Sequence, residues 1–224
     1  LSEFKEEMPE RFFMEGIAEQ HVIGMAAGLA KEGFIPYVNT IATFLTRRCY
    51  EQIAIDLCLH KLPVRLIGNG GGYVYAPLGP THLAVEDIAI MRALPNMTVI
   101  AASDAHQMEQ LMLQTPDVEG PAYIRLAKGY DPIVTETCGQ FTVGQSHMVG
   151  APGEVLIIAT GIMLQRALAV QEQLQSEGIT SGILNVHTLK PLDEDNILKQ
   201  IKTASLVVTM EEHTRIGGLG SAVV

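Results

Sequence analysis

Apolar runs of strand length alternate with helix-length segments along most of the chain. Residues 36–40, 64–69, 98–102 and 122–126 read as strands. Between them, 18–31, 44–60 and 105–114 read as helices, the last with Asp104 as its N-cap. The rhythm weakens over 127–153, where Gly, Pro and Thr accumulate. It resumes with strands at 154–160, 180–187 and 205–210 and helices at 163–177 and 193–203. Strand and helix alternating through short connections predict parallel sheets built by right-handed crossovers. Strands that are apolar at nearly every position predict sheets covered on both faces. The expected fold class is α/β, with two doubly wound domains. Residues 1–134 form the first, 135–152 the connection and 153–224 the second, and each domain is expected to be incomplete at a chain end.

Composition narrows the function classes. The chain has 224 residues, 47% of them hydrophobic, and a mean hydropathy of +0.21. A chain this apolar is not disordered. No apolar run reaches the roughly 18 residues of a membrane span. The net charge is −10 and the pI about 5.1, with no basic run, so neither a nucleic acid nor a membrane is an expected partner. Three cysteines without metal-ligand spacing fit reduced thiols in the cytoplasm. Twenty-one glycines against no tryptophan point to close backbone approach to a neighbour or ligand. The chain starts with Leu1, without a signal-peptide pattern, and stops in what reads as the start of a helix. It is expected to be a piece of a longer polypeptide.

Three segments near expected strand ends carry candidate chemistry, because ligands in open α/β sheets sit outside the carboxyl ends of strands. The first is Gly16-Ile17-Ala18-Glu19-Gln20-His21, which places Glu19 near a helix start, where a carboxylate gains from the dipole. The second runs from Thr43 through Phe44, Leu45, Thr46, Arg47 and Arg48 to Cys49 and Tyr50. There Phe44, Arg47 and Tyr50 recur at a spacing that can share one helical face. The third joins Gly68-Asn69-Gly70-Gly71-Gly72 to Leu78-Gly79-Pro80-Thr81-His82: a glycine-rich loop, a proline turn and a histidine, without the spacing of a Walker phosphate loop. His21 reads as shaping a pocket or interface, His187 and His213 as structural or interface residues, and His60, His106 and His147 as surface residues.

Taken in order, Gly-Ile-Ala-Glu-Gln-His, Thr-Phe-Leu-x-Arg, Gly-Pro-Thr-His and Arg-Ala-Leu-Pro-Asn-Met-Thr-Val resemble the pyrimidine-binding domain of thiamine-diphosphate enzymes. The resemblance is to the transketolase family, close to its deoxyxylulose-phosphate synthase branch. The runs Val155–Gly161, Asn185–Asp193 and Glu211–His213 resemble the transketolase C-terminal domain, so the likeness covers nearly the whole chain. It implies that Glu19 hydrogen-bonds N1′ of the aminopyrimidine and helps the cofactor lose its thiazolium C2 proton. It implies that Phe44 stacks on the pyrimidine and that Arg47 lines the mouth of the site, against cofactor and substrate. It places His82 near the reacting substrate oxygens, able to donate a hydrogen bond or relay a proton. The cofactor performs the carbanion chemistry, and the protein supplies orientation and electrostatics.

Several positions depart from the family pattern. Leu78 stands where relatives carry a substrate-binding Asp, and Gly70 where transketolases carry a phosphate-side His. Lys128 replaces the second arginine of an Arg-x-x-Arg phosphate motif that begins at Arg125, so it would hold an anionic substrate group as a point charge. These departures predict keto and aldehyde substrates other than the pentose phosphates. The diphosphate-and-magnesium motif, Gly-Asp-Gly followed by Asn, does not occur. The resemblance therefore implies a homodimer whose thiamine diphosphate and magnesium are held largely by an N-terminal diphosphate-binding subunit or domain. The expected activity is a thiamine-diphosphate-dependent transfer: two-carbon ketol transfer or decarboxylative C–C bond formation in carbohydrate metabolism. The alternatives are the beta subunit of a 2-oxoacid dehydrogenase first component, or a dimerisation subunit whose site has decayed.

Overall fold

The computed structural model describes residues 2–224. Its helices are α1 (Ser2–Glu7), α2 (Glu19–Lys31), α3 (Ala42–Thr46), α4 (Tyr50–Gln52), α5 (Asp87–Ala93), α6 (Ala105–Gln114), α7 (Met163–Ser176), α8 (Glu194–Ile201) and α9 (Leu219–Val223). Its strands are β1 (Tyr37–Ile41), β2 (Arg65–Asn69), β3 (Thr98–Ala101), β4 (Ala122–Arg125), β5 (His147–Val149), β6 (Val155–Ala159), β7 (Ser181–Asn185), β8 (Thr188–Lys190) and β9 (Leu206–Met210). The first sheet has the order β1-β2-β4-β3-β8 and the second β5-β7-β6-β9. All pairings are parallel except those of β8 with β3 and β5 with β7. The parallel α/β expectation holds. No described helix is long and apolar enough to cross a membrane.

Period-2 alternation covers both faces of the first sheet. Leu66, Val99, Ala101 and Tyr123 pack with Ile23, Leu45, Ile53 and Met91 in one cluster. Their neighbours Ile67, Ile100, Ala102 and Ile124 pack with Leu111 of α6 and Phe141 in another. In the second sheet Val155, Ile157 and Ala159 turn to Leu164 and Ala167 of α7. Leu156 and Ile158 turn the other way and join the first cluster, so one apolar core runs through both halves.

Three differences from the sequence reading have physical causes. The helix expected over 44–60 starts earlier and breaks at 47–49, then continues through α4 into a π-helical stretch, Ile53–Cys58. The helix α5 falls in a span given no element, because seven residues with Ile88 and Met91 buried are too short for a clear helical period. The strand expected over 180–187 ends at Asn185, and the chain then crosses to the first sheet. There Ala101 N donates to His187 O and β8 pairs with β3. The stretch 135–152 runs past Asp104, which accepts from Val134 N, Thr135 N and Thr135 Oγ1, and then supplies β5. Asp104 caps α6 by accepting from Gln107 N at 2.9 Å, as expected. Burial opposes its charge, but these hydrogen bonds outweigh it and hold the carboxyl below its usual pKa.

His187 is buried, its ring 5.6 Å edge-on from Phe141. His147, expected at the surface, is half-buried and meets the same ring at 5.1 Å. Burial, with His147 adding to it, lowers the His187 pKa from 6.5 to about 4. Between those values the unfolded chain binds a proton that the folded chain excludes. This contribution to stability is complete above about pH 6.5 and lost as pH falls toward 4, amounting to about 3 kcal/mol. Urea midpoints at pH 7 and 4.5 should therefore differ more in the wild type than in His187→Gln, and equal differences would assign the acid sensitivity to other groups.

Candidate active site

Glu19 opens α2 and is only 7% exposed. Its Oε2 accepts from Arg48 Nη1 at 2.6 Å. Arg48 lies in the break between α3 and α4, and its guanidinium sits 4.4 Å from the centroid of the Phe44 ring. Phe44 in turn meets the His82 ring edge-on, with centroids 5.1 Å apart. Glu19, Phe44 and His82, which come from three separate segments, thus stand in one row. Arg48 joins the first two. Sequence reasoning gave it no role, although the Arg47-Arg48 doublet behind an aromatic marks the place.

The loop that carries His82 is anchored from α3. Arg47 donates from Nη1 to Pro80 O at 3.0 Å and from Nη2 to Leu83 O at 2.6 Å, and its Nε pairs with Glu86. Arg47, expected at the mouth of the site, has its guanidinium committed to this loop. It shares a face with Phe44 as the spacing implied, since both side chains meet the 80–83 turn, whereas Tyr50 packs on the core. Thr81 Oγ1 lies 2.9 Å from His82 Nδ1, so Nε2 is the ring nitrogen left for other partners.

The glycine loop is shaped by close contact. Gly70 has φ +73°, and a Cβ there would lie 2.0 Å from the Tyr75 ring. The Tyr75 ring therefore fills the space a side chain at position 70 would take. Tyr75 faces His82 at 6.4 Å, and Lys128 Nζ lies 5.8 Å from the Tyr75 centroid. Lys128 is exposed and reaches the row through Tyr75. It also lines a cleft of about 230 Å³ at the carboxyl ends of β2, β3 and β4, together with Asn69, Ser103, Asp104 and Met108. Leu78 is exposed at the end of a single 3-10 turn, Ala76–Leu78.

A buried charge cluster supports these loops from below. Arg125, at the end of β4, donates from Nε to Asp87 Oδ2 at 2.9 Å and from Nη2 to Ala84 O and Glu212 O. Tyr123 Oη donates to the same Asp87 oxygen at 2.7 Å. Burial works against the Arg125 charge, but Asp87 more than offsets it and the guanidinium pKa is raised. Burial, reinforced by Asp87, pushes the Tyr123 hydroxyl well above its usual pKa. A Cβ on Gly72, at φ +75°, would lie 1.9 Å from the Glu212 carboxylate, so this loop and the 211–213 segment close on one another. His213 follows Glu212 and meets α5 instead. Ala89 N donates to its Nε2, and its Nδ1 lies 2.8 Å from Thr214 O, which ties α5 to the C-terminal segment.

The other candidates stand outside the row. His21 is exposed, 3.8 Å from Glu15. Cys49 and Cys58 are buried and unbridged, and burial raises both thiols to about 11, so neither is a ready nucleophile. His106 is half-buried, 2.9 Å from Gln110 Nε2.

Two α/β units on mainly parallel sheets define a class of fold, that of the paired pyrimidine-binding and C-terminal modules of transketolases. Residues 1–130 match the model of the transketolase pyrimidine-binding domain, and residues 144–224 that of the transketolase C-terminal domain. The chain belongs to the transketolase family. It is 38% identical to the 6-deoxy-6-sulfo-D-fructose transketolase subunit of Clostridium sp. (strain MSTE9), over 99% of this chain and 69% of that subunit. It is 37% identical to the 1-deoxy-D-xylulose-5-phosphate synthase of Syntrophus aciditrophicus, over 100% of this chain but 34% of the synthase. Among solved structures, a split-gene transketolase described as an inactive beta4 tetramer superposes with a TM-score of 0.91 at 39% identity, covering 99% of this chain and 72% of that one. The chain spans 65–69% of the length of its subunit-sized relatives.

Proposed function

We propose that this chain contributes the aminopyrimidine half of a thiamine-diphosphate site in a transketolase-type transferase, as a subunit or section of the whole enzyme. The observation that carries this reading is the buried Glu19 carboxylate linked through Arg48 to the Phe44 ring, which also meets the His82 ring. The group fits these residues. An aminopyrimidine needs a carboxyl partner for a ring nitrogen and a flat apolar face, and both are here. When bound, the cofactor supplies the carbanion chemistry of two-carbon ketol transfer or decarboxylative C–C bond formation. Glu19 holds a proton at N1′, its burial keeping water away from the shared hydrogen bond. Phe44 orients the ring, and His82 presents Nε2 to substrate oxygens while Thr81 holds Nδ1. Arg47 acts here by fixing the His82 loop.

The diphosphate and its magnesium are assigned to a diphosphate-binding subunit or domain, in line with the split-gene relative. Homo-oligomerisation is supported by the apolar side chains that α1 and the stretch leading into α2 leave exposed: Phe4, Phe13, Met14 and Ile17. Lys128, past Tyr75 from His82, is assigned to an anionic group on the substrate. Tyr75 over Gly70 narrows that side of the site, which supports keto and aldehyde substrates other than the pentose phosphates. Titration with magnesium and thiamine diphosphate tests the assignment. The chain alone should bind with a Kd above about 1 mM, and tight binding should appear with the diphosphate-binding subunit. Tight binding by the chain alone would overturn the reading.

A further inference from the structure

Arg48 makes both contacts that the proposed aminopyrimidine would make. Its guanidinium lies over the Phe44 ring, 4.4 Å from the centroid, and donates to the Glu19 carboxylate. A single group makes both contacts, so the face of Phe44 that it covers is the face reached from Glu19. A ring stacked there and bonded to Glu19 occupies the same volume, and two planar groups cannot share it. We infer that Arg48 is a placeholder in the aminopyrimidine slot, a gate that must swing out before the cofactor's ring can enter.

The two partners differ in freedom. The Arg48 side chain is 40% exposed and that of Glu19 only 9%. Glu19 is fixed by the start of α2, while the long arginine side chain has solvent to move into. Its backbone stays in place, since Gln20 Nε2 donates to Arg48 O at 3.1 Å. The arginine end of the pair reaches solvent, which is what a displaceable stopper requires. Until the ring arrives, the guanidinium keeps the buried carboxylate from standing without a partner. Arg47 cannot take this part, because its three contacts lie on the His82 loop.

This inference rests on the assignment of Glu19 and Phe44 to the pyrimidine, and the experiment separates the two. The probe is 4-amino-5-hydroxymethyl-2-methylpyrimidine, titrated into the full-length protein and followed by ligand-observed NMR. Arg48→Ala should bind it about tenfold or more tightly than the wild type. Arg48→Lys, which keeps the charge but loses the flat guanidinium over the ring, should fall between them. Circular dichroism identifies variants that fold, and Arg48→Gln replaces Arg48→Ala where the latter does not. Unchanged or weaker binding in the folded variants, with binding still abolished by Glu19→Gln and Phe44→Ala, would make Arg48 a permanent part of the site and overturn the gate alone. Binding that is indifferent to Glu19 and Phe44, or absent in every variant, would overturn the gate together with the site assignment.

Discussion

Glu19→Gln is expected to fold as the wild type and to slow proton–deuterium exchange at C2 of bound thiamine diphosphate by about 10²–10⁴-fold in the complete enzyme. The amide has the same shape and can still accept the 2.6 Å hydrogen bond from Arg48. It cannot take up and hold a proton, which is the one property the proposed role demands. The cost to stability is small. A carboxylate in the first turn of a helix is worth about 0.3–1 kcal/mol, and the remaining packing of α2 rests on Ile23, Ala26, Ala27 and Ala30. Quenched-flow exchange read by NMR measures the effect. An exchange rate equal to that of the wild type would remove Glu19 from proton transfer, whatever its part in binding.

Arg125→Met is expected to cost about 3–5 kcal/mol, the penalty for breaking a buried ion pair by removing one partner. Asp87 would be left charged and buried with Tyr123 as its remaining donor, and its Oδ1 already has no partner. Ala84 O and Glu212 O would lose the donors that bind the His82 loop to the C-terminal segment. The double variant Arg125→Met with Asp87→Leu should recover much of the loss, because it removes the stranded charge as well. Denaturant unfolding of the single and double variants gives the coupling energy directly. Additive effects in that cycle would mean that the pair is not the source of the cost.

Much of the architecture was legible because its signals are local. The strands at 37–41, 65–69, 98–101 and 122–125 carry apolar runs between turn residues. Asp104 declares the start of α6 by a side chain that reaches only three residues ahead. Candidate residues were legible as types at expected strand ends; in the structure Phe44 meets His82 directly and Glu19 is joined to Phe44 through Arg48. Their mutual distances were not legible, because three segments distant in sequence, two helices and a loop, set them. Arg47 shows the limit most clearly. Spacing put it on the face of Phe44, which it shares, but its neighbour Arg48 is the one that reaches Glu19. The break at 47–49 sends two adjacent, identical side chains to different partners, and nothing in a repeat of residue types distinguishes them.

The sequence by itself determined the α/β class, the alternation that buries both faces of each sheet, and the motifs that mark a transketolase-family chain. Those properties depend on short-range periodicity and on residue type. Only the tertiary structure decided that β8 leaves the second half to join the first sheet, that Arg125 fastens Ala84, at the end of the His82 loop, to Glu212, and that Arg48 stands between Glu19 and Phe44. Each of these depends on a contact between segments far apart in the chain, for Arg48 the one with Glu19. The energy that selects it comes from satisfying a buried charge or closing a shared core, and neither exists until the whole chain is folded.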